Sequence, residues 1–173
     1  MTLRVGTRGS ALAVAQTRQV ADALAVALGG VDVELVRITT HGDTSRASLA
    51  TLGGTGVFAT ALRDALREGR CDVVVHSYKD LPTAPSPGLV VAAVPVRADA
   101  RDVLVTRDGT PLAALPARSR VGTGSPRRVA QVRAARGDLE VVDIRGNVDS
   151  RLARLEATGS ERLDAIVLSA AGL

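Results

Sequence analysis

The sequence predicts an α/β chain of two lobes, and three observations carry that expectation. Short β-branched runs, Val73-Val74-Val75 most clearly, read as strands covered on both faces. Stretches of helical period lie between such runs and carry capping signals, Ser10 ahead of the first and Ser125-Pro126 ahead of a later one. Around Arg97 to Arg101 a fresh strand–helix series begins, which divides the chain into a first lobe over 1–96 and a second over 97–173.

The elements follow in order. Residues 3–5 form the first expected strand, and Ser10 caps a helix that runs to about Leu28 and stops at Gly29-Gly30. Val31 to Thr39 alternates apolar and polar side chains as a strand does. His41 to Gly56 has no steady period and contains Gly53-Gly54-Thr55-Gly56, so it reads as a long binding loop or lid. A helix from about Val57 to Glu68 follows, then the strand 73–75 and the turn His76-Ser77-Tyr78-Lys79-Asp80. Pro82, Pro85 and Pro87 make Leu81 to Gly88 irregular, and Leu89 to Val96 returns as a strand. In the second lobe, strands are expected near 103–105, 120–121, 139–142 and 165–168, with helices over 126–136 and 148–157.

A chain of 173 residues is long enough to bury a core, roughly two-thirds of its unfolded surface. With 46% hydrophobic and 23% charged residues it belongs with globular proteins and not with disordered ones. Its net charge is +4, yet of 22 basic residues only Lys79 is a lysine. Arginine richness of this kind fits a GC-rich coding bias and singles out Lys79. Phe58 and Tyr78 are the only aromatic residues, so the stacking platforms used for single-stranded nucleic acid are missing and the positive charge suits small anions. Cys71 is the only cysteine, which excludes an internal disulfide and reads as a small core residue; with His41 and His76 the only histidines, no metal site is expected. The start has no secretory pattern, and the Ala-rich stretch 11–28 is broken by Gln16, Arg18, Gln19 and Asp22, short of the roughly 20 apolar residues that span a bilayer. A cytoplasmic chain with no membrane partner is the expectation.

Chemistry gathers in the turns after strands, where open α/β sheets bind ligands. Val121-Gly122-Thr123-Gly124-Ser125-Pro126-Arg127-Arg128 reads as a strand end, a glycine turn, an N-cap serine, a first-turn proline and two guanidinium forks, a combination that suits a carboxylate or phosphate. The same grammar recurs in Gly6-Thr7-Arg8-Gly9-Ser10, in the 76–80 turn, and in Asp143-Ile144-Arg145-Gly146-Asn147 with Arg151 one turn later. The 121–128 segment alone is equally an ordinary capped helix with solvated arginines; the recurrence of Arg8, Lys79, Arg127, Arg128, Arg145 and Arg151 favours one basic cleft. Asp80 beside Lys79 either stabilises a developing cation or caps the turn that follows. A dinucleotide fingerprint fails because Arg127 stands at the third glycine position, no P-loop lysine is present, and no nucleophile elbow supports a reactive serine.

Thr7 to Ala13, His76 to Pro82, Val121 to Arg128, Arg145-Gly146-Asn147 and Ala170 to Leu173 together resemble hydroxymethylbilane synthase, also called porphobilinogen deaminase, in order and spacing along the whole chain. The resemblance implies a transferase of porphyrin and haem biosynthesis. It condenses four porphobilinogen molecules, with loss of ammonia, on a covalently held dipyrromethane cofactor. It places on Asp80, with Lys79, the stabilisation of pyrrole cations. It places carboxylate binding for cofactor and substrate on Arg8, Ser10, Ser77, Lys79, Thr123, Ser125, Arg127, Arg128, Arg145, Gly146 and Arg151. It implies two lobes like a type II periplasmic-binding protein, a monomer, and a third domain that would lie beyond Leu173 with the cofactor-anchoring cysteine, so the first lobe lacks a returning strand and this chain alone is expected to be inactive. Cys71 does not match the anchoring position. Thr51 and Thr55 stand where the family commonly has lysine, and Gly124 and Pro126 replace its more usual Ser and Leu. The competing reading is a non-catalytic anion-binding module of the same fold.

Overall fold

The computed structural model describes residues 2–40 and 59–173, and the chain divides into two compact units, Met1–Val96 and Arg97–Leu173. In the first unit, β1 (Thr2–Thr7), α1 (Ala11–Ala27), β2 (Asp32–Arg37), α2 (Thr60–Arg67) and β3 (Val73–Val74) build a parallel sheet in the order β2-β1-β3. Ser10 caps α1 by accepting from the Ala13 amide at 3.4 Å, and Gly29 and Gly30, with φ of 76° and 87°, end it in the left-handed region that glycine adopts without strain. Ile38, Leu62, Ala65 and Cys71 form the core beneath this sheet. Burial raises the Cys71 thiol pKa, as it does for a small core residue.

The second unit contains β4 (Asp102–Thr106), β5 (Arg120–Gly122), α3 (Pro126–Ala135), β6 (Glu140–Val142), α4 (Val148–Glu156) and β7 (Ala165–Ser169), with sheet order β4-β7-β5-β6. β5 runs parallel to both β6 and β7, whereas β4 pairs antiparallel to β7. Both faces of this sheet are covered: Ala165 and Val167 pack with Leu115, Val121, Val132 and Leu139, while Ile166 and Leu168 pack with Ile144, Leu155 and Leu163. That is why β7 reads as an unbroken apolar run.

The glycines of the 121–128 segment are there for close approach. A Cβ on Gly122 would fall 2.6 Å from Leu163 Cδ1 and 2.9 Å from Ile144 Cδ1, and one on Gly124 would fall 2.5 Å from the Ile144 carbonyl oxygen. Leu163 and Ile144 are themselves buried, so both would have to repack. Gly122→Val is therefore expected to destabilise the second unit by about 1–3 kcal/mol through overpacking, measured as a lower urea midpoint at unchanged m-value.

Several expectations change. Leu89 to Val96 is not a strand: past an isolated Ser86–Leu89 bridge no regular structure forms before β4, and Val90, Val94 and Val96 are exposed. β-branched composition favours a strand only where a neighbouring strand takes up its backbone groups, and this segment has none among the described residues. Val75 lies outside β3, although its amide still donates to the Gly6 carbonyl at 3.0 Å. The reading of 41–56 as a lid, with His41, Thr51 and Thr55, lies outside the described residues.

Candidate functional site

In the first unit the parallel register sets Gly6 against Val74, so the turns leaving β1 and β3 emerge side by side. Thr7 is fully buried, and the Thr17 hydroxyl lies 2.7 Å from both the Thr7 hydroxyl and the Ala13 carbonyl, which fixes the 7–13 turn onto α1. Arg8 is thereby aimed at Asp80, with Nη1 3.4 Å from Oδ2 and both side chains about four-fifths covered. Ser77 donates to Gln16 Oε1 at 2.8 Å, holding the second turn to α1. Tyr78, Lys79 and Asp80 form a single 3-10 turn in which Lys79 is exposed.

His76 opens that second turn with its Nε2 buried and, among the described residues, without a hydrogen-bond partner. Burial holds its pKa below the ordinary value of 6.5, with Arg8 and Arg63 acting in the same direction and Asp80 opposing them. The folded state thus binds the His76 proton less readily than the unfolded chain. Stability should be fully present above pH 6.5 and fall as the pH drops from there towards the depressed folded value. His76→Gln should flatten this part of a stability-versus-pH curve; an unchanged slope would assign the titration to another group.

In the second unit, Gly122 pairs with Val142, and the turns leaving β5 and β6 are tied by the Thr123 amide donating to the Val142 carbonyl at 3.0 Å. Arg145 sits in the β6 turn with its Nη1 buried and without a hydrogen-bond partner. Gly146 takes φ of 102°, and Asn147 caps α4 by accepting from the Ser150 amide at 2.8 Å. Arg151, on the first turn of α4, donates to the Gly146 carbonyl at 2.9 Å. Burial, then Arg128 and Arg145, pull the Arg151 pKa below its ordinary value, against the single opposing charge of Asp143. Arg145, with its buried idle nitrogen, and Arg151, pressed by burial and by two neighbouring guanidiniums, form a place prepared for an anion.

The site residues anticipated from sequence thus fall into two groups, Arg8, Ser10, Ser77, Lys79 and Asp80 in one unit and Thr123, Ser125, Arg127, Arg128, Arg145, Gly146 and Arg151 in the other. Some do different work from that expected. The Ser125 hydroxyl makes no capping bond; its amide instead donates to Thr123 Oγ1 at 3.3 Å, and the first-turn amides of α3 keep no side-chain acceptor. Thr123 is wholly buried, and its hydroxyl helps to close the turn by accepting from the Ser125 amide. Arg128 grips Asp102 through Nη2 at 2.6 Å and Nε at 3.0 Å, and reaches the Val167 carbonyl at 3.3 Å. Arg127 is exposed on the first turn of α3. Gln16, Thr17, Arg63 and Asp102 were missed. Gln16 and Thr17 had a signal, as polar residues set into an apolar stretch and spaced to face the first strand; Arg63 and Asp102 had none.

A shallow concavity of about 780 Å³ lined by Arg107, Arg118, Ser119, Glu156, Arg162 and Asp164 lies at the opposite end of the second sheet, before β5 and β7 and after the antiparallel β4. Its arginines are largely answered by acids, as in the Arg107–Glu156 pair at 3.2 Å. Among the described residues, no group of three or more His, Cys, Asp or Glu could hold a metal ion, and no helix is long and apolar enough to cross a membrane.

A family model described as "Porphobilinogen deaminase, dipyromethane cofactor binding domain" matches residues 3–173. The chain is similar to the porphobilinogen deaminase of Leifsonia xyli subsp. xyli, at 68% identity over 99% of this chain and 51% of that protein. It is also similar to those of Cutibacterium acnes, at 57% identity over 99% of this chain and 53% of the relative, and Mycobacterium bovis, at 54% over the same shares. The chain spans about half the length of the curated relatives it matches.

Proposed function

Because the chain belongs to the porphobilinogen deaminase family, with its dipyrromethane-binding domain, we propose that it supplies the cofactor- and substrate-binding part of a hydroxymethylbilane synthase. The observation that carries this reading is Arg145, with its idle buried nitrogen, beside Arg151, whose charge is opposed by burial and by the Arg128 and Arg145 guanidiniums. A dipyrromethane bears acidic side chains, and these residues fit such a group: Arg145 and Arg151 would hold its carboxylates, with Arg127 and the uncapped first-turn amides of α3 beside them. When bound, the group supplies the free pyrrole carbon on which the chain grows. The two units correspond in this reading to lobes of the type II periplasmic-binding-protein fold, and the protein works in the cytoplasm as a monomer.

The first unit does the proton and charge work. Arg8 binds a substrate carboxylate, and Lys79 from its exposed position attracts another. Asp80, four-fifths covered, accepts from the pyrrole N–H and places negative charge where positive charge develops as the carbon–nitrogen bond to the departing ammonia breaks. Partial enclosure strengthens that interaction relative to open water.

The test is the protein purified from its native source, given porphobilinogen. Ammonia release together with an intact mass raised by two pyrrole units supports the reading. Binding of porphobilinogen or another polycarboxylate with no ammonia released replaces it with the anion-binding module.

A further inference from the structure

Asp80 and Arg8 are paired with each other at 3.4 Å, although the reaction proposed above asks each to hold a different part of the incoming molecule. Arg8 has to meet a carboxylate and Asp80 a pyrrole nitrogen. At 3.4 Å the pair is longer than a well-formed charge-assisted hydrogen bond, so a better-placed acceptor can take the guanidinium. A substrate carboxylate presents the same planar acceptor as Asp80 and competes with it directly for the guanidinium.

Once displaced, Asp80 is a largely covered carboxylate in need of a donor, since leaving such a charge unsatisfied is costly. A donor stands at the other end of the same turn. His76 precedes Asp80 by one turn of chain, and its Nε2 is buried without a hydrogen-bond partner. The charged groups around the imidazole are Asp80 from its own turn, Arg8 from the turn after β1, and Arg63 from α2. Burial first, and then two cations against one anion, favour the neutral imidazole, which donates through a single N–H.

Resting on the function proposed above, we infer that His76 is a positioning residue for Asp80: when a substrate carboxylate takes Arg8, Asp80 transfers to the Nε2–H of His76 and is held there facing the pyrrole N–H. Recognition of the acidic side chain and readiness of the reacting carboxylate become one event. A pyrrole without its carboxylates leaves Asp80 on Arg8 and reacts slowly even when bound.

Two measurements on the full natural protein test this. The first follows the ¹⁵N resonance of His76 Nε2 while porphobilinogen is added; the expected result is a downfield shift of the N–H that saturates with binding and is absent in Asp80→Asn. The second compares His76→Leu with His76→Gln, whose amide restores a donor without a titrating group. Leucine should lower kcat about tenfold at a KM within about twofold of wild type, and glutamine should recover most of the loss. A resonance that stays put at saturating porphobilinogen, or a glutamine variant as slow as leucine, overturns the inference, and the glutamine variant carries the kinetic test if leucine prevents folding. A wild-type protein that shifts the resonance yet releases no ammonia sinks the functional reading alone, whereas ammonia release with an unmoved resonance sinks only the role of His76.

Discussion

Asp80→Asn should lower kcat for porphobilinogen consumption by about 10²–10³ while leaving binding intact, the size of effect seen when a preorganised electrostatic stabiliser is removed. The amide is isosteric and keeps an oxygen for the pyrrole N–H, so the substrate still docks. What it lacks is the negative charge that the developing cation needs. Because Asp80 also pairs with Arg8 at 3.4 Å, neutralising it weakens that pair, and affinity for the substrate carboxylate should hold or rise. Ammonia release measured beside calorimetric binding separates the two effects. Turnover at the wild-type rate in Asp80→Asn would remove the catalytic role and move the non-catalytic binding module to the front.

Arg145→Leu should have effects of opposite sign on stability and on cofactor retention. Its Nη1 is buried without a partner, and its charge adds to those pressing on Arg151. Replacing an uncompensated charge of this kind with an apolar side chain is expected to stabilise the ligand-free fold by about 1 kcal/mol. The same change removes the donor fork for a carboxylate, so most molecules of the full natural protein should fail to load dipyrromethane, seen as the fall of the cofactor-bearing species in an intact-mass spectrum. A variant at once more stable and empty is the signature of a residue kept for a ligand. An Arg145→Leu protein that unfolds earlier and retains its cofactor would instead make Arg145 a structural residue.

Much of the fold was legible because its signals are local. Ser10 and Gly29-Gly30 act through backbone groups within one turn of themselves, and the helix they bound begins and ends within a residue or two of expectation. The strands of the second unit were legible for a similar reason, as Ile166 to Leu168 is apolar on both sides and has to be covered twice. Ser125 shows the limit. Its sequence context is that of a capping residue, but the turn closes through Thr123 instead, because the approach of Gly124 to the Ile144 carbonyl sets the backbone before the hydroxyl can choose a partner.

The sequence by itself determined the alternation of strands and helices, the placement of arginines and Asp80 in turns after strands, and, through five motifs in register, the family. These rest on composition and on contacts a few residues apart. Tertiary structure alone decided which charges answer one another. The antiparallel pairing of β4 brings Asp102 to the end of the sheet where it holds Arg128, while Arg145 is left with an idle nitrogen a short way along the chain. It also decided that Leu89 to Val96 forms no strand, that Thr123 is enclosed, and that Gln16 steadies Ser77. Pairing of charges and of strands depends on residues tens of positions apart being brought within a few ångströms, and no local pattern encodes that distance.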